Sequence, residues 1–138
     1  MTRIDWQLFC GDHGGQRSRA AWVFDKPFFL NGHLYATDGC IAIRAPRKRG
    51  PRCKGTPPPV EKLSWRHAKL KRWAPLPEPP VLQQIAGRWF APQTLTRIAT
   101  LPNVRYSPTG KYPRALLFAF DGGEGMVMPI EDKPEDQT

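Results

Sequence analysis

A chain of 138 residues has room for one domain, or for two small repeated halves, and its 40% hydrophobic content is enough for a packed core. No apolar run approaches the roughly 20 residues of a membrane-spanning helix, and three cysteines cannot close into a disulfide framework. The net charge of +9 is one-sided: residues 1–75 carry 15 Lys/Arg against 5 Asp/Glu, residues 76–138 carry 6 against 7, and the stretch 44–72 holds 11 basic side chains and one acid, Glu61.

A field of that kind draws polyanions such as DNA or RNA, with an attraction that salt weakens. The segment MTRIDWQLFC lacks the apolar core of a secretory signal. With the odd cysteine count, this predicts a protein of the reducing cytoplasm and no membrane partner.

Residues 4–10, IDWQLFC, predict one or two helical turns with Ile4, Leu8 and Phe9 on a shared face. GDHGGQRS follows as a polar, glycine-rich loop. From Ala21 the pattern turns to strands. Asn31-Gly32 and Asp38-Gly39 both suit tight turns that need positive φ. A two-residue turn at Asn31-Gly32 pairs Leu30 with His33, Phe29 with Leu34 and Phe28 with Tyr35. A two-residue turn at Asp38-Gly39 pairs Thr37 with Cys40, Ala36 with Ile41 and Leu34 with Ile43. Residues 27–45 therefore predict a three-stranded antiparallel meander with one buried face, lined by Phe29, Leu34, Ala36, Ile41 and Ile43.

APRKRGPRCKGTPPP comes next. Proline and glycine deny it regular structure, and a mobile basic loop is expected. Residues 60–74 show helical spacing, with Val60, Leu63, His67, Leu70 and Ala74 on one stripe. Lys62, Arg66, Lys69 and Arg72 form another, with Trp65 among them. A Pro-rich connector over 75–80 marks the boundary between two halves. In the second half, VLQQIA and RWFA read as short strands around Gly87. Pro92 opens a helix over 93–101 with Leu95, Ile98 and Leu101 along one side. VRY, ALLFAF and GMVMPI read as strands, the last two joined by the turn DGGEG. The tail 131–138 is acidic and expected to be disordered.

Residues 87–130, GRWFAPQTLTRIATLPNVRYSPTGKYPRALLFAFDGGEGMVMPI, together with YATDGCIAIR, carry a family resemblance. An aromatic-rich strand leads to a helix, a short strand, a Pro-preceded apolar strand and a terminal VMP strand. This resembles the last subdomain of the bacterial DNA polymerase sliding clamp, which has a closely similar VMPM-type strand and an ATDGHRLA turn. The TDG turn is also similar to that of small phage or prophage proteins. The resemblance implies an α+β fold: a single clamp-like domain over 1–130 with antiparallel sheets, two similar halves (1–75 and 81–130) and one main helix in each. It further implies a peptide-binding groove at Thr37, Gly39, Cys40, Met126, Met128 and Pro129. Glycine would let a ligand backbone approach, and methionine would adapt to apolar anchors. Three positions depart from the family: Cys40 stands where it has His, Ile41 where it has Arg, and Ile130 where it has Met. The family's final Arg-Leu is absent. A clamp ring uses six such domains, and this chain has residues for one.

Charge and resemblance together select Arg44, Arg47, Lys48, Arg49, Arg52 and Lys54 in the loop as nucleic-acid contacts, with Lys62, Arg66, Lys69 and Arg72 on the predicted helix. Such contacts grip the backbone of DNA or RNA and read little sequence. Trp65 could stack on a base, anchor a protein partner or pack beneath the Pro-rich connector.

Other constellations are weaker. Cys10 and His13 have Cys-x2-His spacing, and Cys40, Cys53 or His33 could complete a zinc site, but no second close pair exists. The same pair read as a thiol and its base lacks an orienting group. DGGEG lies between strands, whereas phosphate loops lead into a helix. It reads as a hairpin turn, with Asp121 and Glu124 expected to be solvated rather than to bind a cation. No metal, cofactor or enzymatic activity is therefore expected. The leading expectation is a non-enzymatic clamp-like module bound to nucleic acid. The rival is a phage-encoded interaction protein or inhibitor that docks on a host replication complex or an anti-CRISPR-type defence target.

Overall fold

The computed structural model describes residues 4–10, 26–53, 58–63, 65–76, 84–85, 88–90, 92–107 and 115–128. Strands β1 (Phe28–Leu30) and β2 (His33–Thr37) meet at Asn31-Gly32, whose φ angles of 44° and 88° are those a right-twisted hairpin needs. Their register is Phe28↔Tyr35, Phe29↔Leu34 and Leu30↔His33, as the sequence predicts.

The next turn differs from expectation. β3 (Ile41–Pro46) pairs Thr37 with Ala42, Ala36 with Ile43 and Leu34 with Ala45. The strand has slid by two residues, because the Asp38 side chain intervenes. Its Oδ1 accepts hydrogen bonds from the Cys40 and Ile41 amides at 2.8 and 3.0 Å, widening the loop. A slide of two keeps every side chain on its own face, so the predicted grouping of Leu34, Ala36, Ile41 and Ile43 survives.

β4 (Ala74–Pro75), β7 (Arg105–Tyr106), β8 (Leu116–Phe120) and β9 (Gly123–Val127) complete one antiparallel sheet of seven strands, in the order β1-β2-β3-β9-β8-β7-β4. β5 (Gln84–Ile85) and β6 (Arg88–Trp89) pair antiparallel as a separate two-stranded sheet. The β8–β9 turn is Asp121-Gly122, with Gly122 at φ 94°. β3 pairs with β9, so β1-β2-β3 and β7-β8-β9 lie in one sheet rather than in separate ones. The predicted connector begins as edge strand β4. Pro75 is tolerated there because an edge strand need not donate on both sides.

α1 (Pro92–Ala99) is the α-helix among the described residues. Leu95 and Ile98, with Leu101 just beyond, pack into a core with Phe9, Ala36, Ile41, Ile43, Phe118, Phe120 and Val127 on what we call the helix face. Gly123 and Gly125 lie beneath the rings of Phe120 and Phe118, and a Cβ at either position would collide with them. The aromatic rings thus fill the space that side chains on β9 would have taken.

The sheet's second face is buried as well, contrary to the one-sided meander the alternation suggested. Phe28, Tyr35 and Val60 form a core there, flanked by Leu30, Cys53 and Trp65. The cover is formed by residues 58–63 and 65–73. The helix expected over 60–74 is replaced by two single 3₁₀ turns, Val60–Lys62 and His67–Lys69. Trp65 and His67 both turn toward the sheet, which a continuous helix forbids for residues two apart. Tertiary contacts override the local periodicity, and Leu63, placed on the apolar stripe, is instead 39% exposed.

The expected mobile loop also has fixed points. Arg47 donates its amide to the Gly32 carbonyl (2.9 Å), and Phe29 donates to the Pro51 carbonyl (2.6 Å). Residues 47–53 therefore follow the exposed edge of β1 and cover backbone groups that would otherwise invite another strand.

Candidate nucleic-acid interface

Three of the basic residues expected to meet phosphate follow β3 directly. Arg47, Lys48 and Arg49 are exposed, as is Arg52. The segment carrying them wraps β1's edge. Gly50 lies against Phe29 and Leu34 on the helix face, while Cys53 packs with Phe28, Tyr35 and Val60 on the second face. Lys62, Arg66, Lys69 and Arg72 are exposed on the segment that covers the second face, as is Lys71. The two basic segments are thus neighbours. Asn31 ties them further, donating from Nδ2 to Glu61 Oε2 at 2.7 Å. Lys54 lies outside the described residues.

Arg44 occupies a different place. It sits mid-strand on β3, opposite Tyr35 on one side and Glu124 on the other. Its Nε and one terminal nitrogen reach Glu124 Oε2 at 2.8 and 2.7 Å. The guanidinium carbon lies 4.1 Å from the ring centroid of Trp65. Fork, stack and a 3.4 Å contact to the Tyr35 hydroxyl engage the group internally.

Around that pair runs an aromatic file. Phe28 stacks on Tyr35 (5.7 Å), Tyr35 meets Trp65 edge-on (6.1 Å), Trp65 stacks on His67 (5.7 Å), and His67 stacks on Trp73 (6.2 Å). Of the three roles open to Trp65, the structure shows a packing one, against Arg44 rather than the connector. Its indole N–H donates to the Val60 carbonyl at 2.9 Å. His67 is buried, with Nε2 2.7 Å from the Gly125 carbonyl. A carbonyl only accepts, so Nε2 carries the proton. Nδ1 has no hydrogen-bond partner and lies 3.7 Å from Glu124 Oε1.

No known protein family, curated protein or solved structure matches this chain. The site is therefore read from its own chemistry. Among the described residues Glu124 is paired with Arg44, while Glu61, hydrogen-bonded only to the neutral Asn31 amide, keeps its charge and is outnumbered by the exposed cations. The exposed cations keep their field.

The residues expected to line a peptide groove converge at the far end of β3 and β9. Met126 pairs with Ala42, Met128 donates its amide to the Cys40 carbonyl at 2.9 Å, and the Cys40 thiol faces the Met128 carbonyl at 3.9 Å. Thr37 is buried; its hydroxyl donates to the Ile41 carbonyl and accepts from the Gly39 amide. Met126 is buried too, which leaves Gly39, Cys40 and Met128 at the surface. Pro129 lies outside the described residues. Arg97 of α1 bridges to Asp38 at 2.9 Å and also donates to the Leu8 carbonyl, fixing the turn against the helix face.

Cys40 is exposed as a residue, but its sulfur is partly shielded from water; that desolvation, followed by the Asp38 charge, pushes the thiol above its ordinary range, only partly offset by the Met128 hydrogen bond and Arg97. The thiolate a nucleophile needs is disfavoured. Cys10 is buried with its Sγ 3.7 Å from the Trp6 carbonyl, and its suggested partner His13 lies outside the described residues. Among the described residues no three His, Cys, Asp or Glu side chains gather around a point where one ion could bind, and no helix is long and apolar enough to cross a membrane.

Sequence reasoning missed Glu124, His67, Tyr35 and Trp73 as parts of one cluster. The signal was present in Arg44. A lone cation in the middle of an apolar strand needs a buried partner, and Glu124 is the acid in the alternating pattern of β9.

Proposed function

We propose that this chain is a non-enzymatic, sliding-clamp-like module that associates with nucleic acid without reading its sequence. One observation carries the reading. Arg47, Lys48, Arg49, Arg52, Lys62, Arg66, Lys69 and Arg72 are all exposed on two adjoining segments, whose one described acid is Glu61. Cations presented this way grip phosphates and release counterions.

The strand order supports the clamp-like part of the reading. Each half contributes a three-stranded meander, β1-β2-β3 and β7-β8-β9, and the two join last strand to last strand, antiparallel, as a twofold relation would require. The first half departs from the pattern by carrying 3₁₀ turns where the second carries α1, and by sending its fourth strand, β4, to the far edge beside β7.

Titrating the protein with a mixed-sequence DNA duplex at low and moderate salt tests the proposal. The expected result is binding at low salt that falls steeply as salt rises, with a log–log slope of about −0.9 per phosphate neutralised. Absence of binding at low salt sinks it.

Met128, 49% exposed beside Cys40, favours a second reading, in which the TDG-turn end docks a host replication or defence protein. A stoichiometric bacterial partner that survives nuclease treatment, and is lost in Met128→Asp, would support it.

A further inference from the structure

We infer that Arg44 and Glu124 form a positioning pair that fixes Arg66 as a preformed phosphate contact, and that Arg44 itself touches no phosphate. The inference rests on the proposed nucleic-acid association and names which residues organise it. Residues 65–67 carry the argument. Trp65 is held against the Arg44 guanidinium, with its indole N–H on the Val60 carbonyl. His67 is held by the Gly125 carbonyl and flanked by Trp65 and Trp73. Both side chains therefore face the sheet. Arg66 caps the 3₁₀ turn between the two anchors, with φ −102° and ψ 17°, and its side chain is exposed. Lys69 follows on the same short turn, also exposed. The anchors stand on Arg44 and Glu124, which pair across β3 and β9. A guanidinium already engaged by a carboxylate and an indole has little left for a phosphate. Its fork and flat face give Trp65 a fixed seat, which reduces the ordering cost Arg66 meets on binding.

The test is duplex-DNA affinity, read as a function of salt, for the full chain, four single variants and one double variant. Glu124→Gln removes a negative charge from a polyanion-binding surface. If charge alone mattered, binding would tighten. The positioning role predicts the opposite, binding weaker by roughly threefold to tenfold, because the Trp65 seat loosens. Arg44→Lys keeps the charge. A direct phosphate contact would tolerate it, whereas positioning predicts a loss close to that of Arg44→Ala. In an Arg66→Ala background the cost of Arg44→Lys should largely vanish, since the residue it positions is gone. Thermal melts and Trp fluorescence confirm that each variant is folded, and a blue-shifted Trp emission that moves to the red in Glu124→Gln reports the loosened seat without any ligand. Tighter binding by Glu124→Gln, unchanged affinity in Arg44→Lys, or full additivity with Arg66→Ala overturns this inference alone. A wild-type chain that binds no duplex at low salt overturns both it and the function it rests on.

Discussion

The indole of Trp65 lies flat enough against Arg44 to bring the guanidinium carbon within 4.1 Å of its ring centroid, while the same guanidinium grips Glu124. That contact links the basic cover segment to the middle of the sheet. Side-chain exposures of 18% for Arg44 and 27% for Glu124 leave the pair partly screened but mostly removed from water. Replacing Arg44 by Met strands the carboxylate and unseats Trp65. The expected loss in urea denaturation is about 2–3 kcal/mol, below the full cost of breaking a completely buried pair. A double variant, Arg44→Met with Glu124→Leu, should recover part of that loss, because an apolar pair needs no counter-charge. A double variant as unstable as the sum of its singles would show that the two residues act separately.

Asp38 governs the TDG turn through two kinds of bond. Its Oδ1 accepts the Cys40 and Ile41 amides, and its Oδ2 meets Arg97 at 2.9 Å. Asp38→Asn keeps an oxygen for the two amides and gives up the charge, so a loss of about 1 kcal/mol is expected. Asp38→Ala gives up all three contacts, and about 2–3 kcal/mol should go with them. Equal losses in the two variants, measured by chemical denaturation, would mean that the ion pair rather than the turn chemistry sets the loop.

The same turn shows where local reasoning reaches its end. The Asn31-Gly32 hairpin was legible residue by residue, because its register depends on backbone angles those two residues supply themselves. The Asp38-Gly39 turn was placed correctly but paired two residues out, because a carboxylate took an amide that a tight hairpin gives to a carbonyl. In the cover segment, Val60, Leu63, His67 and Leu70 mimic a helical stripe. The contacts that decide the conformation join His67 to Gly125, 58 positions away, and Arg44 to Glu124, 80 positions away. Nothing within a helical window could weigh them. At the candidate interface the exposure of the loop and cover-segment cations was readable from charge clustering. That Arg44 needs a partner inside the sheet was readable from its place in an apolar strand, but which acid supplies it was not, since that depends on which strand becomes its neighbour.

Gly125 has a role that its position in a strand disguises. A Cβ there would run into the ring of Phe118 and approach the Ala42 carbonyl to 2.8 Å. One obstacle is a side chain that can turn. The other is backbone in a paired strand. Gly125→Ala should therefore destabilise by about 2–4 kcal/mol, and adding Phe118→Leu should restore only part of it. Gly32 offers the contrast. Its Cβ would meet nothing within 4 Å, but φ of 88° strains any other residue, so Gly32→Ala should cost about 1–2 kcal/mol through the backbone alone. A Gly125→Ala variant as stable as wild type would mean that the sheet can part there without loss.

Cys40 gives the protein a predictable weakness at alkaline pH. Burial and the neighbouring Asp38 charge both penalise the thiolate, so the folded thiol holds its proton above the ordinary range. The sign follows from proton counting. Between the unfolded value and the raised folded value, the unfolded chain has released a proton that the folded chain still holds. Stability from this group is thus fully present below the ordinary thiol range and declines as pH rises through it. Cys40→Ser should flatten that alkaline decline in thermal melts while leaving the neutral-pH midpoint little changed. Alkylation supplies an independent reading, because only the thiolate reacts. At neutral pH, Cys40 should react with iodoacetamide more slowly than a thiol in an unfolded peptide. Asp38→Asn should speed the reaction, since it removes one of the two causes of the shift. Rapid labelling at neutral pH in the native protein would show that Cys40 ionises freely, and the alkaline decline would then have to come from another group.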